Sequence, residues 1–162
     1  MPIILINNSK WPERLLRDLL HHGARRVGAR TDSVIVEVRN ARWCSVYGRV
    51  SALDRDSQFM CLWLLHSSSR YPSGYRVFPY LRIAWAEASQ ILWVVYHEWQ
   101  HVKDRQDGSV FLFPYYAKRT AWRERPEEQW AENTALRLMQ NPTATDLALI
   151  SRITELLSEE IW

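Results

Sequence analysis

The longest helical pattern in this 162-residue chain runs from Trp85 to about Arg105, and its centre is not apolar. Ala88, Ile91, Leu92, Val95, Trp99 and Val102 recur near a period of 3.6, and Asp107-Gly108 closes the pattern. Among them lies Tyr96-His97-Glu98-Trp99-Gln100-His101. Four residues apart on a helix, His97 and His101 leave the same face about one turn from each other. That spacing lets two imidazoles bind one tetrahedral zinc ion, with Glu98 beside the metal and able to take a proton from a zinc-bound water.

A catalytic zinc site needs a third protein ligand, with water in the fourth position. No histidine follows His101. His21 and His22 are adjacent at the end of an expected helix and point apart by about 100°, which makes them poor ligands. His66 ends an expected strand and reads as structural. Asp107 is chemically allowed, but Asp104 stands where a glycine would ease the sharp turn back to the metal. The better candidate is on the next helix, Pro126-Glu127-Glu128-Gln129-Trp130-Ala131-Glu132-Asn133-Thr134-Ala135. Glu128, Ala131, Glu132 and Ala135 share one face, and the two alanines let that helix pack closely on the first. Glu128 is then the third ligand, and Glu132 accepts a hydrogen bond from the free nitrogen of a metal-bound histidine. The simpler alternative is an acidic first turn with exposed glutamates, placed there by the helix dipole.

His97-Glu98-x-x-His101 followed by Pro126-x-Glu128-x-x-Ala131-Glu132 resembles the gluzincin branch of the HExxH zinc metallopeptidases, in particular its small ImmA/IrrE-like and related minimal forms. The resemblance covers about residues 75–140. It implies a zincin-like α+β fold, a Zn2+ held by His97, His101 and Glu128, and peptide-bond hydrolysis. Glu98 would be the general base, and Tyr115 or Tyr116 would stabilise the oxyanion. The partner implied is a protein or peptide substrate.

Composition limits the alternatives. With 47% hydrophobic and 24% charged residues, the chain reads as one folded domain over residues 1–162. No run reaches transmembrane length, and Pro2 to Ile6 is too short for a signal-peptide core, so a cytoplasmic, membrane-free protein is expected. Cys44 and Cys61 suggest neither a metal pair nor a disulfide scaffold. The net charge is +3, with arginines crowded into the first third: Arg14, Arg17, Arg25, Arg26, Arg30, Arg39, Arg42, Arg49 and Arg55. The alternative function is therefore a zincin-fold interaction module that binds nucleic acid or protein through this basic part. Without a recognition motif, a solvated basic face is the simpler account. The nine tryptophans either wall a pocket or fill the core.

The expected fold is a small, mostly antiparallel sheet packed against the histidine-bearing helix and the following glutamate-bearing helix. Ile3 to Ile6 reads as a buried first strand, and Pro12 opens a helix that Gly23 stops. Ser33 to Arg39 and Trp43 to Val50 read as an antiparallel hairpin. Phe59 to Leu65 is a buried strand, and Tyr75 to Ile83 an edge strand broken by Pro79. Helices are expected from Pro126 to about Gln140 and from Asp146 to Ile161.

Overall fold

The structure, a computed structural model, describes residues 2–40, 47–52, 57–64, 83–109 and 116–158. It is an α+β arrangement of a four-stranded mixed sheet and four helices, with the core between the sheet and the helices. In chain order these are β1 (Ile4–Asn8), α1 (Glu13–Val27), β2 (Val34–Asn40), β3 (Tyr47–Ala52), β4 (Gln58–Leu64), α2 (Ile83–Gln106), α3 (Pro126–Gln140) and α4 (Ala144–Ser158). A short 3₁₀ turn, Trp122–Glu124, precedes α3. Residues 65–82 of the chain, which include His66 and the expected edge strand, lie outside the described residues, as does Tyr115.

The sheet order is β1-β2-β4-β3, and it corrects the expectation of a mostly antiparallel sheet. β2 runs parallel to both β1 and β4; only β3 is antiparallel, against β4. The expected hairpin between β2 and β3 does not form, because β4 lies between them. The physical reason is burial. β4 is apolar along nearly its whole length and needs cover on both faces, as parallel strands do. β3 carries Gly48, Arg49 and Ser51 and tolerates an edge. Alternation along a strand says which side chains share a face; it does not say which strand is the neighbour. The first strand is also less buried than expected: β1 forms the opposite edge, and Ile4 and Ile6 are exposed.

Helix α2 is the axis of the molecule and packs against α1, α3, α4 and β3. Ala88, Ile91, Leu92, Val95, Tyr96, Trp99 and Val102 are all fully buried, as the 3.6-residue period requires. Gly23 does not stop α1; the helix runs on to Gly28, whose φ of 83° makes the left-handed cap. Gly23 serves a different purpose. A Cβ there would lie 2.5 Å from Val95 Cγ1 and 2.9 Å from Trp99 Cδ1, so glycine lets α1 approach α2. On the other side, Ala131 and Ala135 are fully buried and bring α3 close to α2, as expected.

Candidate metal centre

The imidazoles of His97 and His101 leave α2 together, with ring centroids 4.8 Å apart and the rings nearly perpendicular. Their Nε2 atoms are 3.1 Å from each other. Pro126 starts α3 so that Glu128 falls in its first turn, where the helix dipole favours a carboxylate. From there Glu128 Oε2 reaches His97 Nε2 at 2.9 Å and His101 Nε2 at 3.2 Å. Three lone-pair donors thus converge on one point from two helices. Burial would raise the pKa of Glu128, but hydrogen bonds from His101 and His97 overcome it and bring it down to about 2. His101 is moved the other way: burial disfavours its charge, and the hydrogen bond and charge of Glu128 more than compensate.

Glu98 lies beside this group, 5% exposed. Burial pushes its pKa up to about 7, against the lowering influence of His101 and His97. Its Oε2 is buried and has no hydrogen-bond partner among the described residues. Such an orphan oxygen costs about 1–3 kcal/mol unless something fills the space beside it. The roof above it is β3. A Cβ on Gly48 would come within 2.4 Å of Glu98 Cγ, so only glycine lets this strand lie over the carboxylate. A glycine inside an alternating strand signals close backbone approach, and that is the one sequence signal pointing to Gly48.

Next to the three donors a cleft of about 570 Å³ opens, bounded by Gly48 to Val50 on β3, Glu98, His101 and Arg105 on α2, and Trp122, Arg125, Glu127 and Glu128 around the start of α3. A smaller recess of about 120 Å³ lies against His97, Glu98, Trp93, Trp122 and Glu132. Trp122 stacks on the His97 ring at 5.9 Å. The tryptophans therefore serve both expected purposes: Trp11 and Trp99 fill the core, while Trp63 and Trp122 wall the cleft.

The remaining expected residues divide. Tyr116 stands at the cleft margin, its hydroxyl donating to Glu127 Oε1 and its ring under the Arg125 guanidinium at 5.7 Å. Glu132 is on the correct face but makes no hydrogen bond to either histidine among the described residues. Asp107 is not part of the converging group: it is exposed past the end of α2, with Lys103 Nζ 3.8 Å away. Of the arginines in the basic first third, Arg17 pairs with Glu13, Arg39 with Glu37 and Arg26 with Asp146. No helix among the described residues is long and apolar enough to cross a membrane.

His22, expected at a helix end, is instead buried inside α1, with Nε2 2.5 Å from Asp146 Oδ1, and Tyr96 donates its hydroxyl to the same oxygen. Asp146 Oδ2 accepts from Arg26 at 3.3 Å and from the backbone N–H of Thr143 at 2.9 Å. This cluster ties α1, α2 and α4 together and shares no residue with the His97–His101–Glu128 group.

No protein-family model, characterised protein or solved structure matches this chain. The residues themselves define a centre in which His97, His101 and Glu128 could hold a metal ion. Two imidazole nitrogens and one carboxylate oxygen suit zinc by donor type and number, and the unpartnered Oε2 of Glu98 beside them fits a polar group in the remaining position.

Proposed function

We propose that this chain is a zinc-dependent endopeptidase of zincin type. The carrying observation is the convergence of His97, His101 and Glu128 next to a buried carboxylate, Glu98, that has an unpartnered oxygen and faces an open cleft. An ion held only for structure needs no proton acceptor beside it and is closed on all sides. The antiparallel edge strand β3 directly over Glu98 supports the same reading, since an extended backbone can lie along such an edge.

Zinc, when bound, supplies a water of lowered pKa and a Lewis acid for the scissile carbonyl. The Glu98 carboxylate, with its unpartnered Oε2, would accept a proton from the attacking water and pass it to the leaving amine. Tyr115 and Tyr116 are the candidate oxyanion donors; Tyr116 would have to exchange its bond to Glu127 for one to the substrate. The substrate is a protein or peptide of the cytoplasm.

Metal analysis with a cleavage assay tests the reading. Wild-type protein should carry one zinc per chain and cut peptides from a degenerate mixture, read by mass spectrometry. Glu128→Ala should lose zinc affinity by more than about 100-fold, the scale set by lesser changes around metal ligands. Cleavage that persists in fully zinc-free protein would overturn the proposal.

A further inference from the structure

Three arginines border the cleft: Arg49 on β3, Arg105 at the end of α2 and Arg125 just before α3. Three glutamates line it too; two of them are engaged and the third is buried. Glu128 is bonded to both histidines, Glu127 accepts from the Tyr116 hydroxyl, and Glu98 is buried under Gly48. None of the three arginines forms an ion pair among the described residues. Arg105 makes one long bond, 3.4 Å, to the backbone oxygen of Val50, and Arg125 one of the same length to that of Thr120. These contacts aim the guanidinium groups and leave most of their donors free.

Without an ion, three arginines and three glutamates balance around the cleft; a divalent ion held by His97, His101 and Glu128 would add two further positive charges. A ligand that enters this cleft meets a positive field and planar donors suited to carboxylates. We propose that the cleft selects peptide segments with an acidic side chain beside the scissile bond, held by Arg49, Arg105 and Arg125. This rests on the peptidase reading and names its substrate class.

The test uses the zinc-loaded Glu98→Gln protein, which should bind without cutting, and three pools of degenerate nine-residue peptides. Their central pair of residues is fixed as Glu-Glu, Gln-Gln or Lys-Lys, and binding is measured by calorimetry at low and high salt. The acidic pool should bind at least about tenfold more tightly than the Gln pool, and the gap should narrow as salt rises. The double change Arg49→Gln with Arg105→Gln, at exposed positions where the fold tolerates substitution, should abolish the gap; circular dichroism and zinc content confirm that the variant is intact. Equal binding of the Glu and Gln pools, a preference for the Lys pool, binding of none, or a gap that survives the double change overturns the inference. So does tighter binding of a single-stranded thymidine oligonucleotide, which would assign the arginines to phosphates. Wild-type protein incubated with the same pools separates the two claims: acidic preference without cleavage ends the peptidase reading and overturns the inference as a statement about a scissile bond, while cleavage without acidic preference ends this inference alone.

Discussion

Around α2, two histidine–carboxylate clusters lie about one residue's rotation apart, and they differ in what their carboxylate is given. Asp146 is surrounded by donors: the Tyr96 hydroxyl, the His22 ring, the Arg26 guanidinium and the Thr143 backbone N–H. Thr143 Oγ1 also accepts from the Asp146 N–H at 3.1 Å, which closes a reciprocal cap at the start of α4. Glu128 is offered two imidazole nitrogens that also stand 3.1 Å from each other, beside a second carboxylate with an unpartnered oxygen. The first group satisfies its acceptor within the protein, so it locks three helices. The second converges lone pairs on a point and leaves an oxygen without a partner among the described residues, so it could hold a group from outside the chain. A buried carboxylate whose donors all come from the protein acts as a fastening, whereas one that shares its space with other lone pairs is a candidate binding site.

The largest expected contrast is in catalysis. Glu98→Gln should lower peptide cleavage by about 10³-fold or more, within the range for losing a general base, with zinc stoichiometry unchanged. Asp146→Asn should leave the turnover of folded, zinc-loaded protein within a few-fold of wild type. Cleavage rate and metal content measured side by side on both variants decide whether the two clusters divide their work in this way. Stability should show the reverse order. Asp146→Ala strands His22 and Arg26 and should cost about 3–5 kcal/mol in denaturant unfolding, the scale of a broken buried pair. Glu98→Gln should not destabilise the metal-free protein at neutral pH.

Acidity separates the clusters by sign. Glu98 has its pKa raised from the ordinary 4.5 to about 7 by burial, so the unfolded chain gives up this proton at lower pH than the folded one. The metal-free protein should therefore lose about 3 kcal/mol as pH rises from about 4.5 to 7, and Glu98→Gln should flatten that limb. Asp146 is opposite: burial pushes its pKa up, but bonds from Tyr96, His22 and Thr143 and the charge of Arg26 bring it below the ordinary 3.8. Its contribution is present above that value and lost as pH falls below it, so Asp146→Asn should flatten the acid limb. Urea unfolding of chelator-treated protein from pH 3 to 8 reads both. A wild-type curve that gains stability between pH 5 and 7 would contradict the burial of Glu98.

Two glycines give the smallest test. Gly23→Ala adds a Cβ into Val95 and Trp99 and should cost about 1–3 kcal/mol of stability despite the better helix propensity of alanine. Gly48→Ala should act on the site instead: it displaces Glu98 and lowers cleavage while zinc remains bound. Thermal melts and cleavage rates on the pair should move in opposite proportions.

Much of the candidate centre is legible in the order of residues alone. The turn-by-turn spacing of His97 and His101 follows from helix geometry, and Pro126 with two following glutamates marks the first turn in which Glu128 falls. Ala131 and Ala135 signal the close approach of α3. All these signals are local: a period, a cap, a small side chain on one face. The strand order is not legible, because period-2 alternation in β2 and β3 is the same whether they pair or are held apart by β4. Gly23 reads as a helix stop for a similar reason, since a glycine that ends a helix and one that admits a neighbouring helix look alike along the chain.

The sequence by itself determined the helices, the face from which two imidazoles leave α2, and the residue that could meet them. Each depends on interactions spanning a few residues, and those are written in order along the chain. Only the tertiary structure decided that β3 lies over Glu98, that His22 closes on an aspartate 124 residues away, and that Arg49, Arg105 and Arg125 border one cleft. These meetings are set by which surfaces bury best against each other, a property of the packed molecule that no single segment carries.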